Sequence, residues 1–556
     1  MVSIYSVKSG QWSRRETWSG GVVPAADNEV AVTQGHTVTV DKDVSLGKSL
    51  ILNGILSVNA GVILKIGTEG NGSDCVFTFG PRSELTGSGE VSFVRGRVQS
   101  TATAEQRAVV SGDLVFGQAG LADNQRGRMN YDLAYVDFRQ SGSTRFCSTK
   151  SRGEYPESYI FRHCTFSGQS ELLFGIGGWS QNGDIEFEGT HFDNCGIITI
   201  TMVETPTSCK RSISGCVFYA DATYSSIKYN ASGPWEIEDS VFINYVPDPA
   251  STQKKEQHYR SCFFSQNTKD ENQVLFNYDL GSSAEDCYFY TNPGEKNPHV
   301  ISIATLKRSV CECESPIEPN IHAYSGVNVL LEGVLHIGYG DLDNRVGTVA
   351  QERMVKNCTR VSRVGSPING LSLHENGFTD GSVIIRNCLH ACLDASGTDS
   401  RCCRLVGSNG KTQAITFESN ACYNVKQWFD TGLFNLASRS VNTELAKQPD
   451  FLDPERGFIA WLERKAGVTS PDYLAGYAYF RGLLGYDKKA KTLNPQKRPE
   501  CKPADLVSWV REGFYVNDPF LAHAGSNGES IGIGVSQKSA QGSHLRFSRL
   551  SFSPAG

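Results

Sequence analysis

One short phrase recurs through the middle of the chain, and its spacing restricts the fold more than any other feature. It reads apolar residue, any residue, a small or polar residue, Cys, any residue and often Phe. The first copies are Phe161–Arg162–His163–Cys164–Thr165–Phe166, Phe192–Asp193–Asn194–Cys195 and Ile213–Ser214–Gly215–Cys216–Val217–Phe218. Ile237–Glu238–Asp239–Ser240–Val241–Phe242, Tyr259–Arg260–Ser261–Cys262–Phe263–Phe264 and Ala284–Glu285–Asp286–Cys287–Tyr288–Phe289 follow. A weaker copy ends at Cys311, and Leu331–Glu332–Gly333–Val334 keeps the frame without the thiol. Cys358, Cys388 and Cys422 complete the series, giving steps of 31, 21, 24, 22, 25, 24, 23, 24, 30 and 34 residues from Cys164 onward. A period near 24 is one turn of a solenoid: a unit too small to bury its own apolar face, stacked so that its neighbours bury it.

The residues between anchors are rich in Val, Ile, Phe, Tyr and Thr and lack a 3.6-residue apolar stripe, which excludes a helical solenoid. Propeller blades run about 40 to 50 residues, roughly twice this period. The reading is therefore an all-β chain, a right-handed single-stranded parallel β-helix over residues 71–435, with insertions at coil corners. The length of 556 residues then measures coil number, not a run of separate domains. The same frame organises the 17 cysteines. Most fall at one phase, as an inward column of packed thiols. Scattered disulfides are the second reading, because coils about 4.8 Å apart bring Cα atoms near bonding range. Cys311–Glu312–Cys313 and Cys402–Cys403 lack a two-pair zinc spacing, so no metal is expected. The Asn or Asp before the cysteine marks a bend whose polar side chain bonds backbone.

Residues 1–70 form the opening of this stack. Val30, Val32, Val38, Val40, Ile55, Leu56, Val58, Ile63, Leu64 and Ile66 alternate in short runs divided by Asn-Gly and Ala-Gly turns. Trp12 and Trp18 precede Val23–Pro24, Asp27 and Gly35–His36–Thr37–Val38–Thr39–Val40. This pattern resembles the glycine-rich module that opens pectin-lyase-like β-helices in large extracellular and phage-encoded proteins. The two tryptophans are expected to cap the first coil. Residues 436–556 form a helical and irregular region. Helices are expected over Pro454–Ala466, from Ser470–Pro471–Asp472 to near Gly485, and from Pro503, capping the open C-terminal edge of the stack. A basic loop, Lys488 to Lys502, separates the last two.

Composition narrows function. A net charge of -6, with 39% hydrophobic residues, argues against disorder and against a nucleic-acid binder held by bulk charge. No apolar run reaches the length of a membrane span. The opening Met1–Ser6 lacks the pattern of a signal peptide. The resemblance implies a phage virion structural or surface protein, of tail-spike or tail-fibre type. It would assemble in the host cytoplasm, where thiols stay reduced, and associate as a homo-oligomer, with a trimer favoured. Its implied partners are other virion proteins and host surface polysaccharide, without nucleic acid or membrane insertion. A polysaccharide lyase or glycoside hydrolase is the alternative, secreted or at a cell surface, with Ca²⁺ for a lyase. A bacterial adhesin is the third reading. Hydrolysis needs two carboxyls about 5 to 9.5 Å apart. The candidates are Asp193, Asp239 and Asp286, whose first reading is as polar residues of coil corners. His36, His163 and His191 read as turn and corner residues. Tyr224, Tyr229 and Trp235, or Tyr278, Tyr288 and Tyr290, are the candidates for a sugar-stacking face, with aromatic core ladders as the competing reading.

Overall fold

The computed structural model describes residues 3–68, 75–117, 129–139, 141, 144–146, 158–169, 171–176, 184–202, 209–220, 225–231, 234–248, 257–266, 282–291, 301–303, 305–313, 321–322, 329–338, 342–344, 353–363, 369–374, 383–393, 401–406, 415–425, 427–429, 442–466, 486–487, 492–493 and 502–534. The chain is a parallel β-helix. Its residues group into two compact units, Met1–Lys255 with Arg481–Glu500, and Glu256–Phe480 with Cys501–Gly556. Among the described residues no helix is long and apolar enough to cross a membrane.

In the first unit each coil after the first contributes one strand to each of three parallel sheets. Sheet 1 begins with Ser3–Tyr5, Glu29–Val32 and Ser49–Leu52, paired in register. Sheet 2 begins with Gly10–Gln11, Thr37–Val40 and Ile55–Val58. Sheet 3 begins with Val44–Leu46 and Ile63–Ile66. Alternation in these strands puts Val30, Val32, Val38, Val40, Leu56, Val58, Leu64 and Ile66 inside, all buried. Trp12 and Trp18 lie edge to face, 4.7 Å apart, and the Trp18 indole donates to the Trp12 carbonyl at 2.8 Å. Both are buried, so they serve the cap and present no ring to a sugar.

Later coils of this unit stack phenylalanines on the inner face of sheet 2. Phe138, Phe166, Phe192, Phe218 and Phe242 succeed one another at centroid distances of 4.8, 5.2, 4.6 and 4.8 Å. This spacing is the separation of neighbouring strands, so in-register rings stack without displacing backbone.

The second unit repeats the coil with a different interior. Strands of sheet 2 run from Phe263–Gln266 through Tyr288–Thr291, Val310–Cys313, Leu335–Gly338, Thr359–Ser362 and Leu389–Cys392 to Ala421–Tyr423. The inner column begins Phe264, Phe289 and continues Cys311, His336, Arg360, His390 and Cys422. Its outward-facing Phe263, Tyr288 and Tyr290 are also buried.

Two of the expected helices are present as α1, Phe458–Ala466, and α2, Pro503–Gly513. The helix expected after Ser470 lies outside the described residues. The position of α1 and α2 differs from the expected edge cap. Phe458 packs its ring 4.9 Å from Phe263 and 4.8 Å from Tyr290, so α1 lies on the flank of sheet 2. The physical reason is the outward aromatic row, an apolar flank that the apolar face of α1 removes from water.

Candidate functional site

The recurring phrase is a bend between sheets 1 and 2, and the register corrects where its column runs. In the first unit the column is Val136, Cys164, Thr190, Cys216 and Ser240. In the second it is Cys262, Cys287, Ser309, Val334, Cys358, Cys388, Asn420 and Asn442. Cys195, Cys311 and Cys422 are not anchors. Cys195 follows the next bend, whereas Cys311 and Cys422 lie inside sheet 2. The corrected steps from Cys164 are 26, 26, 24, 22, 25, 22, 25, 24, 30 and 32 residues, more even than the sequence suggested.

The residue before each column position up to Asn420 has positive φ: Tyr135, His163, Gly189, Gly215 and Asp239, then Ser261, Asp286, Arg308, Gly333, Asn357, Asn387 and Ser419. A single left-handed residue turns the strand sharply, and Gly, Asn and Asp adopt it at least cost. Where it is Cys, Ser or Thr, the column side chain then bonds the carbonyl two residues back. Cys216 Sγ donates to Ser214 O at 3.4 Å, Ser309 Oγ to Lys307 O at 2.8 Å and Thr190 Oγ1 to Glu188 O at 3.2 Å. Some positions also accept from the preceding coil, as Ser309 Oγ does from the Cys287 amide at 3.1 Å. Cys, Ser and Thr interchange here because each sets a polar atom two bonds from Cα, whereas the longer Asn420 donates through Nδ2 to Ile385 O of the preceding coil at 3.1 Å. The column is therefore a hydrogen-bonded seam, not only packed thiols. The twelve described cysteines form no disulfide.

The candidate carboxylates are tied to this frame. Asp286, at a bend, receives Arg308 Nε at 3.0 Å and Arg308 Nη2 at 2.7 Å from the next bend. Asp239 is the equivalent bend residue of its own coil. Asp193 is buried at the end of a sheet 2 strand, where it accepts from Asn194 Nδ2 at 3.3 Å. Asp193 and Asp239 thus occupy different columns of the first unit. Of the aromatic candidates, Trp235, Tyr288 and Tyr290 are buried and belong to packed faces, not to a sugar-stacking surface. Tyr229 lies on the sheet 3 strand Ser225–Ala231. Tyr224 and Tyr278 lie outside the described residues, as do Cys402 and Cys403 as side chains. Among the described residues no cluster of three metal-ligating side chains occurs.

A different group stands out on the bend ridge of the first unit. Tyr135 and His163, on successive bends, stack with centroids 5.1 Å apart and planes 16° apart. The Arg107 guanidinium lies 5.7 Å over the Tyr135 ring. Arg107 also donates through Nε and Nη2 to Asp137 Oδ1, at 2.9 and 2.6 Å, and through Nη2 to His163 O at 2.6 Å. Arg139 reaches Asp137 Oδ2 at 3.1 Å while its side chain stays 38% exposed. Gly189 completes the ledge, because a Cβ there would run into the His163 ring. Burial and the nearby Arg107 and Arg162 lower the His163 pKa, with Glu188 opposing them, so the imidazole is neutral at neutral pH. The ledge offers a half-exposed neutral aromatic stack edged by a fixed guanidinium. That chemistry suits a sugar ring with a hydroxyl or carboxylate at its rim. His163 was legible only as a corner residue, and Arg107, Tyr135 and Arg139 gave no signal, because they meet only when coils stack.

No protein-family model, curated protein or solved structure matches the chain.

Proposed function

We propose that the protein is a structural or surface β-helix of a phage particle that contacts host glycans, or other virion proteins, along its coil ridge. The observation that carries this reading is the Tyr135–His163 ledge with Arg139 at its edge. Supporting it, much of the described bend chemistry is spent on holding coils in register, as in the Asp286–Arg308 pair. A stack of coils with side chains on a ridge presents contacts at fixed spacing without needing a deep pocket. In this reading the chain assembles in the reducing host cytoplasm as a trimer, and its ligand is a surface polysaccharide.

The test joins sedimentation with glycan retention. A trimeric mass, together with retention on host polysaccharide that falls at least tenfold in Tyr135→Ala and Arg139→Ala, is the expected result. A monomer that releases ultraviolet-absorbing unsaturated sugars would replace this reading with a polysaccharide lyase.

A further inference from the structure

In the second unit two thiols occupy the seam on successive coils. The pairings Lys356↔Arg386 and Thr359↔Leu389 place Cys358 and Cys388 in register. Neighbouring strands lie about 4.8 Å apart, inside the usual Cα separation of disulfide-bonded cysteines, about 4.4 to 6.8 Å. Each thiol now donates to the carbonyl two residues back, Cys358 to Lys356 O and Cys388 to Arg386 O, both at 3.3 Å. The two side chains also lie close enough to hydrogen-bond to each other.

The C-terminal segment bonds to residues that flank this pair. The Thr359 hydroxyl oxygen accepts from the Ile533 amide at 2.9 Å. Asn387 Oδ1 accepts from the Ser526 amide at 2.8 Å, and its Nδ2 donates to Glu529 Oε2 at 2.8 Å. Gly532 N–H donates to Asn387 O at 2.8 Å. Arg511 of α2 donates to the Gly333 carbonyl, one coil earlier. The flanks of both cysteines are therefore held by one segment.

We propose that Cys358 and Cys388 form an oxidation-responsive dithiol, which peroxide converts to a cross-coil disulfide at a rate set by lifting of the C-terminal segment. The Cys358 thiolate attacks one peroxide oxygen, giving Cys358–SOH and hydroxide. The Cys388 sulfur then attacks the sulfenic sulfur, its proton leaves, and water departs. Two thiols and one hydrogen peroxide give one disulfide and two waters. The thiols lose two electrons and the peroxide gains them.

The surroundings favour Cys358 as the attacking sulfur. Burial opposes its ionisation, but the Cys388 thiol, the Val334 amide and the charges of Arg360 and Arg511 outweigh it and lower its pKa. Burial raises Cys388, and its bond to Cys358 adds to the rise. Cys262 and Cys287 are a second pair on successive coils, which supplies an internal control. There the Cys262 amide donates to Cys287 Sγ at 3.4 Å.

The experiment treats the full chain with graded hydrogen peroxide, blocks remaining thiols by alkylation and maps linked peptides by mass spectrometry. The expected first product joins Cys358 to Cys388. Cys358→Ser keeps the seam, since Ser240 and Ser309 already serve there, and abolishes the link. Asn387→Gly keeps the left-handed bend, removes the side-chain anchors of the C-terminal segment and speeds linking several-fold. Linking of Cys262 to Cys287 at an equal or faster rate would overturn the proposal. So would an unchanged rate in Asn387→Gly, or oxidation of Cys358 without a link. None of these outcomes bears on oligomeric mass or glycan retention, so the proposed function stands or falls separately.

Discussion

The two units share a coil and differ in what they stack inside it. The first runs five phenylalanines down the inner face of sheet 2. The second stops its ladder after Phe289 and places His336, Arg360 and His390 along the same line, all buried. The coil frame therefore does not depend on the chemistry of its lumen. It is set by the left-handed bend and the seam behind it, which both units keep. What the lumen changes is the response to conditions: an aromatic stack is indifferent to pH, whereas a buried imidazole beside a guanidinium is not.

The largest expected effect breaks the first unit alone. Phe218→Ala removes a ring stacked between Phe192 and Phe242 and should cost about 3 to 5 kcal/mol. Hydrogen exchange should show lost protection in strands from 165 to 243 and little change beyond 256. Equal loss in both units would show that they unfold together.

Acid is expected to act on the second unit first. Burial, reinforced by Arg360, lowers His390 from 6.5 to about 3 and holds His336 well below its ordinary value. Both are neutral when folded and take up protons when unfolded below about pH 6.5. Stability is thus intact above that pH and falls as pH drops toward the folded values. Between pH 6.5 and 5 the loss at His390 is about 2 kcal/mol, and His336 acts in the same direction. Urea unfolding at the two pH values, read by exchange in each unit, measures it. A larger loss in the phenylalanine-lined unit would contradict the contrast.

His390→Phe sharpens the same comparison by extending the aromatic ladder. Both ring nitrogens of His390 are buried without a partner. Removing them should stabilise the second unit by about 1 to 3 kcal/mol and reduce its acid sensitivity. Destabilisation would mean that the imidazole has a use in the lumen beyond filling it.

The smallest effect belongs to the exposed face of sheet 1. There Arg260, Glu285, Lys307, Glu332, Lys356, Arg386 and Glu418 align in register, with Lys356 2.7 Å from Glu332. Lys356→Ala should cost below about 1 kcal/mol, with the cost shrinking in high salt. A salt-independent change would assign the side chain a packing role instead.

The sequence was most legible where one residue type does one job on every coil. The bend and its period could be read because Asn, Asp, Gly and Cys recur there. The anchors at Cys195, Cys311 and Cys422 misled because a cysteine elsewhere in the coil carries no label of its column. Tyr288 misled for a related reason: burial on both faces of sheet 2 removes the alternation that separates inside from outside, whereas Trp235 faces inward on sheet 1, whose strand keeps that alternation. The docking of α1 depends on Glu312, which accepts from the Tyr288 hydroxyl and from the Phe458 amide at 2.8 Å. Those partners are 24 and 146 residues away in the chain, and nothing local announces them.

By itself, then, the sequence determined the coil. Period, β-branched content and bend residues are local, and each coil must satisfy them whatever lies beside it. Only the tertiary structure decided which side chains share a column, where the C-terminal helices lie, and which rings and thiols meet. Those depend on register between coils, and a shift of one residue would exchange every inward side chain for an outward one.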